Sequence, residues 1–176
     1  MATKQITTEM VKTLREETDA GIMDCRRALE QADGDIQKAK AILREKGIAS
    51  ASKKAERETK QGLVEAYIHG GRIGALVELN CETDFVARTD QFKQLARDIA
   101  MHIVGANPRF LTKEEITDEF RQKEQFTEKQ LDAMTLMSQS YVRDESKTIE
   151  QLVKETIAAT GENIRIGRFA RFELGK

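Results

Sequence analysis

Few residues in this chain have the types or spacing that bond-making chemistry demands. Cys25 and Cys81 stand far apart without a CxxC pair, and His69 and His102 are isolated from both, so metal-ligand spacing is absent. A Cys81/His102 nucleophilic pair would need an orienting acid and an oxyanion donor, and no recognisable pattern nearby supplies either. Both cysteines read instead as small buried hydrophobes. The stretch with most to offer is Asn80-Cys81-Glu82-Thr83-Asp84-Phe85-Val86-Ala87-Arg88, where an acid and a large aromatic directly follow an alternating apolar strand. Ile73, Ala75, Val77, Leu79 and Cys81 share one face of that strand, so the chain leaves its sheet near Glu82 and brings Asp84 and Phe85 to a strand end. Two arrangements fit. Phe85 packs under the next helix with Asp84 as its cap, or the ring is displayed for contact, and periodicity does not choose between them.

The elements that must position this stretch are constrained by composition. A chain of 176 residues suits one ordinary domain, or a small module with a modest core. Charged residues make up 34% and aromatics 5%, with no Trp, which predicts a helix-rich, heavily solvated protein with thin cores. Lysine and arginine number 29 against 30 acids, and no basic stripe is present, so neither nucleic acid nor an anionic membrane is expected as a partner. The start Met1-Ala2-Thr3-Lys4-Gln5-Ile6-Thr7 lacks a signal-peptide core, and no apolar run is long enough to span a bilayer; a soluble, cytoplasmic protein is expected.

Residues 1–50 read as a module of three short helices. Thr7 caps the first, with Ile6 and Val11 as a hydrophobic staple and Met10, Val11 and Leu14 as its stripe. Ala20-Gly21 turns into the second, which runs through Ile22, Met23, Cys25, Ala28 and Leu29 to Asp33-Gly34. Asp35 caps the third, with Lys46-Gly47 as its stop. Residues 51–61 have no apolar side chain larger than alanine and read as a charged linker.

Residues 62–176 form an α+β core domain in this reading. Leu63 to Ile68 and Ile73 to Cys81 make a hairpin around Gly70-Gly71. Thr89 caps a helix bearing Phe92, Leu95, Ala96, Ile99 and Ile103, which stops before Asn107-Pro108, and His102 beside that face reads as a packing residue. Thr112 and Glu115 suggest a capping box, Thr127 to Ser140 a further helix, and Thr148 with Gln151 another box ahead of a helix that Gly161 ends. Ile164 to Leu174 alternates as a third strand.

Three segments together resemble one family, the translation elongation factor Ts proteins. Leu14 to Leu29 (LREETDAGIMDCRRAL) is similar to the family's LRExTGAGMMDCKKAL signature in a ubiquitin-associated-like module. Asn80 to Arg88 matches the family's NCETDFVAR segment throughout, and Glu162 to Leu174 is similar to its closing strand. Two departures stand out. Asp19 occupies a position where the family usually has glycine, which Asp tolerates as a turn residue, and Gln139-Ser140-Tyr141-Val142-Arg143-Asp144 replaces the usual QPF[IV]KD. Longer members carry two copies of the core subdomain, whereas the hairpin and the Thr83-Asp84-Phe85-Val86 element occur once here.

The resemblance implies a nucleotide-exchange factor for elongation factor Tu, engaging that GTPase in its GDP-bound and nucleotide-free states, with no cofactor and no covalent chemistry. It implies that Thr83, Asp84, Phe85 and Val86 form the element that dislodges Mg²⁺, with Phe85 as the wedge. Ile22 and Met23 become exposed anchors on the partner, ordinary packing within the three-helix core being the other reading of both. A single core copy implies a homodimer, joined through the apolar side of a strand or through the Thr127 to Tyr141 region. Two rival classes remain distinct: a peptide- or ubiquitin-like-binding adaptor using the three helices alone, and a thiol enzyme using Cys81.

Overall fold

The computed structural model describes residues 6–18 and 20–176; the start of the chain and the departure at Asp19 lie outside the described residues. Three helices open the fold. In α1 (Thr8–Thr18) the Thr7 hydroxyl accepts the Met10 N–H at 3.2 Å. Next, α2 (Ile22–Gln31) follows Gly21 and closes through the Gly34 N–H, which donates to the Leu29 carbonyl at 2.9 Å. That closure needs positive φ at two successive residues: 49° at Asp33, a residue type that tolerates the left-handed region, and 77° at Gly34, which glycine adopts without cost to a side chain. In α3 (Ile36–Lys54) the Asp35 carboxylate accepts from the Lys38 N–H at 3.0 Å. Leu14, Cys25, Ala28, Leu29 and Ala39 are buried together between the three helices.

The stop expected at Lys46-Gly47 is not used, and α3 continues to Lys54. Gly47 lies against Ala158, a residue of a late helix of the core; a Cβ at Gly47 would come within 2.9 Å of the Ala158 Cβ. The missing side chain permits a close crossing of two helices, and that packing outweighs the weak helix propensity of glycine. Ala51, within the stretch read as linker, is buried in the main core, and the Asn163 amide donates to the Ala55 and Arg57 carbonyls at 3.3 and 2.7 Å.

The main core is a three-stranded antiparallel sheet with helices on one face. β1 (Gln61–His69) and β2 (Ile73–Cys81) turn on Gly70 and Gly71, both at positive φ. After β2 come the single-turn α4 (Asp84–Ala87) and α5 (Asp90–Ala106), the latter capped by Thr89 and ended by Asn107 in the left-handed conformation. Thr117, not Thr112, caps α6 (Asp118–Glu124), while the Glu115 carboxylate accepts from the Leu111 N–H at 2.7 Å. The expected helix from Thr127 to Ser140 is cut short. α7 (Glu128–Met134) begins on a Thr127/Gln130 capping box, but Thr135 turns extended to bridge Phe110, and the Leu136 N–H donates to the Phe110 carbonyl at 2.8 Å. A 3₁₀ turn at Leu136–Ser138 then leads into the small hairpin of β3 (Ser140–Tyr141) and β4 (Asp144–Thr148). α8 (Ile149–Thr160) starts on the Thr148/Gln151 box, ends at Gly161, and delivers β5 (Ile164–Glu173) to the free side of β2, giving the order β1-β2-β5. Val77, Leu79, Cys81, Ile164 and Ile166 face inward against Phe92, Leu95, Ile99, Ile103, Val153 and Ile157, so the fold is α+β.

Candidate functional site

The corner after β2 is built from short-range forces. Cys81 is fully buried, and its thiol donates to the Thr83 carbonyl at 3.1 Å, bending the chain out of the sheet. The Thr83 hydroxyl caps α4 by accepting from the Val86 N–H. A four-residue helix has one inward side, and Val86 and Ala87 occupy it, packed on the main core. Phe85 is left pointing outward, 80% exposed. Asp84 is not a cap; its carboxylate meets Arg88 one turn on. Of the four residues singled out in the sequence, Thr83 and Val86 are therefore anchors, and Asp84 and Phe85 form the outward surface.

Further partners of the corner have no signature in periodicity. The Thr83 N–H and hydroxyl both donate to the Glu162 carboxylate, at 3.0 and 2.6 Å, and the Asn163 N–H donates to Glu82 at 2.6 Å. Glu82 also pairs with Arg57 at 3.4 Å. The signal that could have found these residues is the polar Gly161-Glu162-Asn163 step immediately before β5, at the end of the sheet where β2 exits.

Two other apolar surfaces are open. Ile22 and Met23, in the first turn of α2, are 55% and 58% exposed, because Cys25, Ala28 and Leu29 take the inward side of that helix. The outer face of the sheet exposes Val64, Ile68, Leu76 and Phe172, with Leu174 just beyond β5. Gly74 stands in register between Ile68 and Phe172, and Leu76 between Ala66 and Ala170, so the face is flat and apolar at that end.

The thiol chemistry considered above finds no support in the geometry. Burial, followed by the charge of Glu162, pushes the Cys81 thiol up from its ordinary pKa, which disfavours a thiolate. His102 is fully buried; the Val142 N–H donates to its Nδ1 at 3.3 Å, so Nε2 carries the proton and donates to Gln139 Oε1 at 2.9 Å. Burial also lowers the His102 pKa. Both groups are committed to neighbours that have nothing to do with each other. The departure at Tyr141 is likewise internal: its ring is buried, and desolvation together with a hydrogen bond to Asp98 pushes its hydroxyl up to about 12. Among the described residues no group of three or more His, Cys, Asp or Glu is placed to hold a metal ion, and no helix is long and apolar enough to cross a membrane.

Comparison with known proteins gives one consistent answer. The family model described as Elongation factor TS matches residues 2–133 and 125–176. An elongation factor Ts of Carboxydothermus hydrogenoformans is 49% identical over 195 residues, covering 97% of this chain and 90% of the relative. That of Finegoldia magna is 45% identical over 203 residues, covering 98% and 91%, and that of Thermotoga neapolitana 44% identical over 194, covering 98% of both. These matched spans exceed the 176 residues of the chain, so the relatives carry internal residues that it lacks. The two matched stretches overlap over 125–133, at the turn into α7 and along that helix, in a region where the fold is compressed to short helices.

Proposed function

Because the chain belongs to the elongation factor Ts family, and with it to the translation elongation factors, we propose that it is a guanine-nucleotide exchange factor for elongation factor Tu. It binds the GDP-loaded GTPase, loosens Mg²⁺ and nucleotide, and leaves an empty site for GTP, with no covalent bond made or broken and in the cytoplasm. The observation that carries this reading is the exposure of Phe85 on a corner anchored from beneath. A large aromatic held out in water is poised to enter a crevice of another protein. Burying it contributes about 1.5–3 kcal/mol, enough to bias a two-state element in the partner by about tenfold to a hundredfold. The bias acts on nucleotide by reciprocity: a factor that binds the empty GTPase more tightly than the filled one weakens nucleotide binding by the same ratio.

In this mechanism Phe85 is the wedge, Asp84 its polar companion, and Thr83 and Val86 hold both in place. Ile22 and Met23 supply a second, uniform contact on the GTPase. Uniform binding raises occupancy without changing the maximal release rate, whereas a contact made only with the loosened state raises that rate. The apolar outer face of the sheet suits a second copy of the chain packed sheet on sheet, giving a homodimer that engages two GTPase molecules. The test is direct: labelled GDP bound to purified elongation factor Tu should leave much faster when the full chain is added. An unchanged release rate at saturating concentrations rejects exchange, and unimpaired partner binding without Phe85 effects favours the adaptor reading.

A further inference from the structure

The pairing of β2 with β5 ends at Cys81 opposite Ile164, yet the register is carried two residues further by side chains. In continued register Glu82 faces Asn163 and Thr83 faces Glu162. The Asn163 N–H donates to Glu82 Oε1 at 2.6 Å, and the Thr83 N–H donates to Glu162 Oε2 at 3.0 Å, so carboxylates stand in for the carbonyls that a longer ladder would have supplied. Glu162 does more than end a sheet. Its second oxygen accepts the Thr83 hydroxyl proton at 2.6 Å, and the same hydroxyl oxygen accepts the Val86 N–H, so one carboxylate sets the orientation of the group that caps α4. Charge-assisted bonds of this kind are the strong ones, and two from one carboxylate fix both position and angle.

We infer that Glu162 is a positioning residue for exchange, acting through Thr83 to hold Phe85 at the height and angle at which its ring meets the GTPase; the inference rests on the exchange reading above. α4 has a single turn and one inward face, so packing of Val86 and Ala87 leaves its tilt underdetermined. The Glu162 clamp supplies the missing constraint from the opposite strand. Asn163, 2% exposed, ties the same corner to the end of α3 through the Ala55 and Arg57 carbonyls, so the clamp pulls against a fixed frame. Displacement of a contact group by about 1 Å can cost a hundredfold in rate.

The experiment follows release of fluorescent GDP from purified elongation factor Tu across a concentration series of the full chain, separating maximal rate from half-saturating concentration. Glu162→Gln keeps size and reach, but it turns one of the two accepting oxygens into an NH2 donor, so one of the two Thr83 donors meets a donor instead of an acceptor. It should lower the maximal rate about three- to tenfold with the half-saturating concentration changed less than about threefold, and Glu162→Ala should lower the rate further. In a Phe85→Ala background, adding Glu162→Ala should cost less than about twofold more, because the clamp then has no ring to position. A maximal rate within about twofold of wild type for Glu162→Gln overturns the inference, as does an equal loss with and without Phe85. Circular dichroism identifies an unfolded Glu162→Ala protein, in which case Glu162→Gln, alone and with Phe85→Ala, decides by the same criteria. A wild-type chain that fails to release GDP rejects the exchange reading itself, and the inference with it; a wild-type chain that works beside an equally active Glu162→Gln rejects the clamp alone.

Discussion

The Asp84 carboxylate meets the Arg88 guanidinium at 2.8 Å across one helical turn, and Phe85, next to Asp84 in the chain, keeps 80% of its surface in solvent. The ion pair is exposed and screened, so its worth to stability is small. Its effect is local: it occupies the charges on the outer side of α4 and leaves the ring as the main apolar feature there.

Phe85→Ala is therefore expected to lower the maximal rate of GDP release from elongation factor Tu by about tenfold or more while moving the melting temperature by less than about 3 °C. Stopped-flow release and a thermal melt on the same preparation check both halves. A large loss of melting temperature would show that the ring belongs to the core after all.

Joint replacement of Ile22 and Met23 by alanine should raise the half-saturating concentration for exchange with little change in the maximal rate, since both are more than half exposed at 55% and 58%. This pair is a cleaner probe than deleting residues 1–50. That deletion would cut α3 and remove Gly47 from its contact with Ala158, so it would disturb the core as well. Equal half-saturating concentrations for the variant and wild type would remove the anchor role.

Gly47→Ala should destabilise the protein, against the usual gain of about 1 kcal/mol for this change inside a helix. The added methyl would lie 2.9 Å from the Ala158 Cβ, and each of these carbons is bonded directly to a helix backbone that cannot move cheaply. A loss of about 1–2 kcal/mol is expected, with partial recovery in Gly47→Ala/Ala158→Gly. A higher melting temperature for Gly47→Ala would contradict the close crossing of α3 and α8.

Stability should fall as pH drops below 6.5, and His102 is the cause. Its folded pKa lies below 6.5, so the unfolded chain takes up a proton in a range where the buried ring refuses one. The contribution is fully present above 6.5 and is lost as pH falls toward the folded value. Glu78, Glu114 and Glu173 are held below 4.5, the first and last chiefly by side-chain hydrogen bonds from Asn80 and Arg171, and so act in a lower window. Melting temperatures of wild type and His102→Gln at pH 7.5, 6.5 and 5.5 check this, the variant being expected to lack the slope.

Light scattering of the chain in reducing buffer should give about 40 kDa, twice the 19.9 kDa of one chain. Leu76→Asp, at the centre of the exposed sheet face, should return it to the monomer mass without loss of fold. A wild-type mass near 20 kDa at tens of micromolar would exclude the dimer.

Much of the architecture was legible because its causes are local. The inward alternation of Val77, Leu79 and Cys81, the Gly70-Gly71 turn, and the caps at Thr7, Asp35, Thr89 and Thr148 each depend on neighbours within a few residues, and each is found where the pattern predicts. The three segments that resemble the elongation factor Ts family were equally a property of the chain alone. What tertiary structure decided was every feature whose cause lies far away in sequence. Gly47 reads as a stop until Ala158 is set against it, and Ala51 reads as linker until the core covers it. Thr135 breaks a continuous helical pattern because Phe110 offers it a bridge. The exposure of Phe85 belongs to the same class: an apolar side chain is buried only if another element arrives above it, and among the described residues none does at the end of β2, while Glu162 arrives beneath to hold the corner in place.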